Sequence, residues 1–190
     1  MTAVDRSGRT PASVLIPLLP DEDGFRVLFE VRSSQIAQGG EICFPGGSCE
    51  DGESPEQTAV RETCEELGVT GQQIELAAPL CSMPGPKGQT VFSYLGFLRS
   101  YRGTFANAEV DHVFSIPLQE LLEAEPMEGH AKLIVQPDED FPFDLIQGGQ
   151  NYRWSTQTRT YYFYPTREDG AIWGVTADLL RQFLYLIKEK

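Results

Sequence analysis

Residues 54 to 68 read SPEQTAVRETCEELG, and no other stretch constrains the chain so tightly. Ser54 has the side chain of a helix N-cap, Pro55 suits the first helical position, and Gln57 stands three residues past the serine, completing a capping box. Ala59, Val60, Cys64 and Leu67 recur at helical spacing and Gly68 is a stop signal, so a helix of about three turns is expected over Pro55–Leu67. Glu62, Glu65 and Glu66 then fall within a sector of about 100° on one face. Like charges at that spacing destabilise a helix by roughly a few tenths of a kcal/mol. A solvated acidic face beside Arg61 tolerates that cost. A hard divalent cation, Mg²⁺ or Mn²⁺, would instead remove it by taking the carboxylate oxygens as ligands.

The rest of the chain supplies a sheet for this helix to cover. Ser13–Leu19 and Phe25–Arg32 read as strands joined by an acidic turn ending in Asp23-Gly24, which predicts a hairpin. Ser33–Glu41 reads as a loop, and Pro45-Gly46-Gly47 predicts a sharp turn. Ile74–Cys81 and Gln89–Leu98 have the branched and aromatic content of strands. SIPLQELLEAE, residues 115–125, predicts a second helix entered through Pro117, and residues 131–164 read as strand-like but irregular. Thr176–Lys188 closes the chain as an amphipathic helix with Leu179, Leu180, Phe183, Leu184 and Ile187 at core spacing. A single mixed α/β domain over residues 1–190, with helices covering a sheet, accounts for this order. The first few residues and the last two read as tails.

A net charge of −13 speaks against sequence-independent contact with nucleic acid or with an anionic membrane, since both present phosphate to a surface that should be basic. An anionic substrate would need divalent cations, or arginines gathered in a cleft, to offset that field. No run of about 20 apolar residues exists to span a bilayer, and Asp5, Arg6 and Arg9 interrupt any apolar run at the N-terminus. Cys43, Cys49, Cys64 and Cys81 form no C-x-x-C pair and lie near no histidine, which argues against zinc and for reduced thiols in a cytoplasmic setting.

Read from Gly47, the segment GSCEDGESPEQTAVRETCEELGV resembles the Nudix box, G-x5-E-x7-R-E-U-x-E-E-x-G-U with U a bulky apolar residue. Gly47, Glu53, Arg61, Glu62, Glu65, Glu66, Gly68 and Val69 match, and Thr63 stands where an aliphatic residue is usual. The resemblance implies a Nudix α/β/α sandwich with a mixed sheet and a loop–helix–loop over residues 47–69. It implies that Glu62, Glu65 and Glu66, with the Gly47 carbonyl, bind Mg²⁺ or Mn²⁺, and that Glu53 supports metal-bound water. Arg61 would fix the carboxylate rotamers, and Glu62 is the leading candidate for general base. Glu109, in NAEVDHVF, is a candidate for an additional acid; His112 reads as structural.

Upstream, VRSSQIAQGGEICFPGG is similar to the signature of coenzyme A diphosphatases, in which an arginine-serine pair leads through a glycine to FPGG. Arg32, Ser33, Gly40 and Phe44 to Gly47 match, whereas the second arginine of that signature has no counterpart near Ala37. This implies substrate contacts at Arg32, Phe44 and Gly46, and hydrolysis of coenzyme A or an acyl derivative to 3′,5′-ADP and a 4′-phosphopantetheine product. IWGVTADLL near the C-terminus resembles the end of that subfamily. An ADP-ribose or nucleoside diphosphate sugar diphosphatase, and a non-catalytic sensor on the same scaffold, are the competing readings. The expected partners are a small nucleoside diphosphate derivative and, for assembly, a second copy of the chain, with neither nucleic acid nor membrane.

Overall fold

The hairpin forms where the alternation predicts it. Strands β1 (Ala12–Asp21) and β2 (Gly24–Arg32) pair antiparallel from Asp21 and Gly24 back to Leu18 and Val27. Beyond that register the two strands separate, and the segment after the 33–41 loop fills the wedge between them. Its first part, β3 (Ile42–Cys43), pairs with Val31 and Glu30 of β2, and its second, β4 (Gly46–Ser48), pairs with Val14 to Ala12 of β1. The turn expected at 45–47 is therefore a bend at Pro45 followed by a short strand. A glycine is required there: a Cβ on Gly46 would lie 2.3 Å from the Ser13 carbonyl oxygen and 2.6 Å from the Val14 Cα.

The computed structural model describes residues 8–189; the tail expected at the first few residues lies outside the described residues. Helix α1 (Pro55–Leu67) has the predicted ends, with reciprocal Ser54 and Gln57 capping bonds and Gly68 in the left-handed conformation. Strands β5 (Ile74–Pro84) and β6 (Thr90–Leu98) follow, and β6 runs parallel to β1 while the other pairs are antiparallel, which makes the sheet mixed. Strand β7 (Val110–Pro117) pairs along β2. It takes Ser115 to Pro117 from the expected second helix, which shrinks to α2 (Leu118–Glu123), because the free edge of β2 offers hydrogen bonds that a short helix cannot match.

The irregular region resolves into β8 (Met127–Leu133) and β9 (Gln157–Pro165), and β10 (Ala171–Ile172) adds to β9 as the third strand of a second sheet. Between β8 and β9, Phe141, Phe143, Tyr152 and Trp154 pack edge-on against one another. Helix α3 (Gly174–Lys188) buries Leu179, Leu180, Phe183 and Leu184, as its spacing predicts. It covers one face of the main sheet with Ile16, Val27, Phe29 and Val31, whereas Leu67 and Val69 at the end of α1 pack on the other face with Leu28 and Leu98. The result is a three-layer α/β/α sandwich. No helix among the described residues is long and apolar enough to cross a membrane.

His112 ties the two sheets together. Its ring nitrogens lie 2.8 Å from Asp111 Oδ2 and 2.9 Å from Asp169 Oδ1, in the turn after β9. The Asp111 contact, followed by Asp169, raises its pKa above the usual 6.5. The raised value means that the clasp stabilises the fold fully below pH 6.5 and loses that contribution as pH rises through the folded-state value. Because the ring is 39% exposed, solvent screening limits the effect to about 1 kcal/mol. Urea unfolding of His112→Gln should fall short of wild type by up to that amount at pH 6 and match it at pH 9; a gap independent of pH would show that the histidine charge plays no part.

Candidate metal centre and active site

The three helix carboxylates do not share one environment; they fan out from core to solvent. The buried stripe of α1 is Thr58, Ala59, Thr63, Glu66 and Leu67, displaced from the Ala59, Val60, Cys64 and Leu67 line that the apolar pattern predicts. Glu66 is 4% exposed, while the side chains of Glu62 and Glu65 are 15% and 60% exposed. Thr63, the departure from the aliphatic pattern, is buried with its hydroxyl donating to the Ala59 carbonyl at 2.7 Å, so it leaves no unsatisfied group beneath the helix.

Arg61 organises the outer part. Its Nε and Nη2 donate to the two oxygens of Glu53 at 2.9 and 3.0 Å, and Nη1 reaches Glu62 and Glu65 at 3.0 and 3.1 Å. Nη2 also donates to the Ser48 carbonyl at 3.2 Å, which fastens the strand before the helix to the helix itself. Glu53 accepts further bonds from the Thr58 hydroxyl and the Glu50 amide, and the Arg61 contact is the main reason its pKa drops to about 2. A bidentate guanidinium pair of this kind fixes both partners in one orientation. Arg61 is correspondingly held even more firmly in its charged state.

The inner part lies where the β1–β2 wedge places Gly46 and Gly47 against the helix. The Gly46 amide donates to Glu66 Oε2 at 2.7 Å. The Glu62 carboxylate sits so close to Gly47 that a Cβ there would fall 2.4 Å from its Oε1. Burial first, then the neighbouring charge of Glu30, pushes the Glu66 carboxyl up to about 9, against the opposing pull of the Gly46 amide. Glu62 is also raised, again chiefly by burial. Glu30 is a residue the motif does not contain; it is 1% exposed on β2 and pushed up to about 7 by burial. The available signal was a glutamate inside FRVLFEVR, a strand otherwise expected to be core.

The remaining candidates divide. Arg32 ends β2, donates from Nε to the Ala37 carbonyl at 3.2 Å, and its charge acts on Glu30 and Glu66. Glu109 is exposed on the loop before β7; its carbonyl accepts from the Ser33 amide at 2.8 Å and its charge bears on Glu30 and Glu62. That loop is docked on the end of α1 through Thr104 to the Leu67 carbonyl and Ala106 to the Glu66 carbonyl. Phe44 lies in the core, 3% exposed and stacked on Phe29 at 5.0 Å, and Gly46 serves backbone packing and the Glu66 bond.

Among the described residues no three acidic, cysteine or histidine side chains already converge as a cage. Arg61 and the Gly46 amide hold the carboxylates instead. The donor set nevertheless fits a hard divalent cation. Its groups are carboxylates, one buried oxygen of Glu30 has no hydrogen-bond partner among the described residues, and the Glu62 carboxylate occupies the space where a side chain at 47 would begin.

A loop–helix–loop that presents glutamates and a glycine backbone above a mixed sheet, with helices on both faces, defines the Nudix class of folds. The family model described as the NUDIX domain matches residues 9–136, and the chain belongs to that family. Among its relatives, the mouse peroxisomal coenzyme A diphosphatase NUDT7 is 35% identical over 132 residues, covering 68% of this chain and 55% of the relative. The human mitochondrial coenzyme A diphosphatase NUDT8 is 33% identical over 132 residues, covering 65% and 55%. This chain thus spans about half the length of these relatives. A C. elegans Ap4A hydrolase binary complex shares the fold, with a TM-score of 0.51 at 19% identity over 59% of this chain and 83% of that one.

Proposed function

We propose that this protein is a Mg²⁺- or Mn²⁺-dependent diphosphatase that hydrolyses the diphosphate of a nucleoside diphosphate derivative, with coenzyme A or an acyl-coenzyme A as substrate. The observation that carries the reading is the graded carboxylate row of α1 closed against Gly46 and Gly47. Glu62, Glu65, Glu66 and the Gly47 carbonyl would hold the cations, which when bound neutralise the diphosphate and acidify water. Glu62, lifted by burial, takes the proton of the water that attacks phosphorus. A new P–O bond forms to the water oxygen, the anhydride P–O bond breaks, and the departing phosphate keeps that bond's electron pair. Arg61, anchored on Glu53, holds Glu62 and Glu65 in place throughout. Glu109 is a further acid within the electrostatic reach of Glu62.

Coenzyme A is favoured by the diphosphatase relatives and by Arg32, whose charge already acts on the carboxylates while its guanidinium donates to the Ala37 carbonyl, its one hydrogen-bond partner among the described residues. With Mn²⁺ present, coenzyme A should yield 3′,5′-ADP. Turnover of ADP-ribose or a nucleoside diphosphate sugar alone would replace that substrate, and turnover of none would favour a sensor. Arg32→Ala should remove about 1.5 to 3 kcal/mol of substrate interaction, roughly a ten- to hundred-fold loss in kcat/KM. If the contact is to the 3′-phosphate, wild type prefers coenzyme A over dephospho-coenzyme A and the variant loses that preference; if it is to the diphosphate, both substrates suffer alike. Unchanged kcat/KM for both would remove Arg32 from the site.

A further inference from the structure

Strand alternation places Leu28, Glu30 and Arg32 on the same face of β2, the face beneath α1 where Leu28 packs with Leu67. One step along from Leu28, next to the helix residue that precedes Leu67, the expected apolar side chain is replaced by Glu30. Its Oε1 accepts from the Cys43 thiol at 3.2 Å across the β2–β3 pair, but its Oε2, fully buried, has no hydrogen-bond partner among the described residues. A carboxylate in such a place is costly unless a positive charge or a proton compensates it. Arg32, on the same face, directs its Nε to the Ala37 carbonyl. The charges that act on Glu30 are that of Arg32 and those of Glu62, Glu66 and Glu109, three carboxylates of the candidate centre.

We propose that Glu30 is an inner carboxylate of the cation site, with its free Oε2 turned toward a divalent ion held by α1. The inference rests on the reading of α1 as a cation-bearing helix and adds to it a ligand from the sheet. Glu30 thereby makes the centre a joint property of β2 and α1, so that the ion fastens the helix to the strand beneath it.

The test is Mn²⁺ binding, followed by electron paramagnetic resonance of free Mn²⁺, with thermal unfolding in chelator and in excess Mn²⁺, on wild type, Glu30→Gln and Glu62→Gln. Glu30→Gln is expected to keep or raise the melting temperature in chelator, to weaken Mn²⁺ binding about ten-fold or more, and to show a smaller Mn²⁺-induced rise in melting temperature. Wild-type Mn²⁺ affinity in Glu30→Gln, alongside a loss in Glu62→Gln, overturns the inference and leaves the diphosphatase reading standing. Absence of Mn²⁺ binding by wild type, or undiminished binding by Glu62→Gln, overturns both. Should Glu30→Gln fail to fold, Glu30→Asp keeps the charge and shortens its reach; weakened Mn²⁺ binding supports the proposal, and wild-type affinity overturns it.

Discussion

Replacing Glu66 by glutamine should leave the fold intact and lower turnover by at least about a hundred-fold, because loss of one charge at the cation site removes several kcal/mol, roughly, of transition-state stabilisation. The amide oxygen of glutamine still accepts from Gly46, so the contact between wedge and helix survives. The effect on the metal-free protein runs the other way. Burial and Glu30 raise the Glu66 carboxyl to about 9, so its protonated form stabilises the fold below the ordinary value near 4.5, and that contribution is lost as pH climbs toward 9. Glutamine does not titrate. In chelator, the variant should therefore match wild type near pH 5 and melt about 2 °C or more above it at pH 8. Wild-type activity in the variant would remove Glu66 from the metal site, and a strongly lowered melting temperature at both pH values would make it a structural residue alone.

The second large effect is expected at Gly46, and a paired substitution at Gly47 separates stability from activity. An added Cβ on Gly46 meets backbone, the Ser13 carbonyl and the Val14 Cα, at distances no rotamer change relieves. Gly46→Ala should cost about 3 kcal/mol, roughly 6 to 12 °C in melting temperature for a chain of this length. The three atoms nearest a Cβ on Gly47 all belong to the Glu62 carboxylate, the flexible end of a side chain, which can swing away. Gly47→Ala should fold with a near-native melting temperature yet displace Glu62 and lose most of the activity and Mn²⁺ affinity. Equal melting temperatures for the two variants would mean that the β1–β4 pairing is not rigid; full activity in Gly47→Ala would separate Glu62 from the chemistry.

Helix α1, which bears the candidate carboxylates, was legible residue by residue because its ends are written in local hydrogen bonding. Ser54, Pro55, Gln57 and Gly68 act within one turn of themselves, and no tertiary partner can override them cheaply. The same holds for the β1–β2 hairpin and for the apolar stripe of α3. Strand β7 was not legible as a strand throughout, since SIPLQELL carries helical spacing and only the open edge of β2 decides that Ser115 to Pro117 extend. The second sheet was masked for a similar reason: β8 is mostly exposed and its pairing with β9 spans a long irregular excursion.

By itself the sequence determined the identity and order of the candidate groups on the helix, because the spacing from Ser54 through Gly68 sets helical angles and cap positions that follow from covalent geometry alone. Only the tertiary structure decided how those equal carboxylates differ. A helix periodicity treats Glu62, Glu65 and Glu66 alike, whereas the sheet beneath buries Glu66, shields much of Glu62 and leaves Glu65 in water, and burial raises the pKa of Glu66 and of Glu62. The same sheet brings Glu30 and Arg32, distant in sequence, under the helix, since the divergence of β1 from β2 and the insertion of Ile42–Ser48 are set by long-range strand pairing that no local pattern encodes.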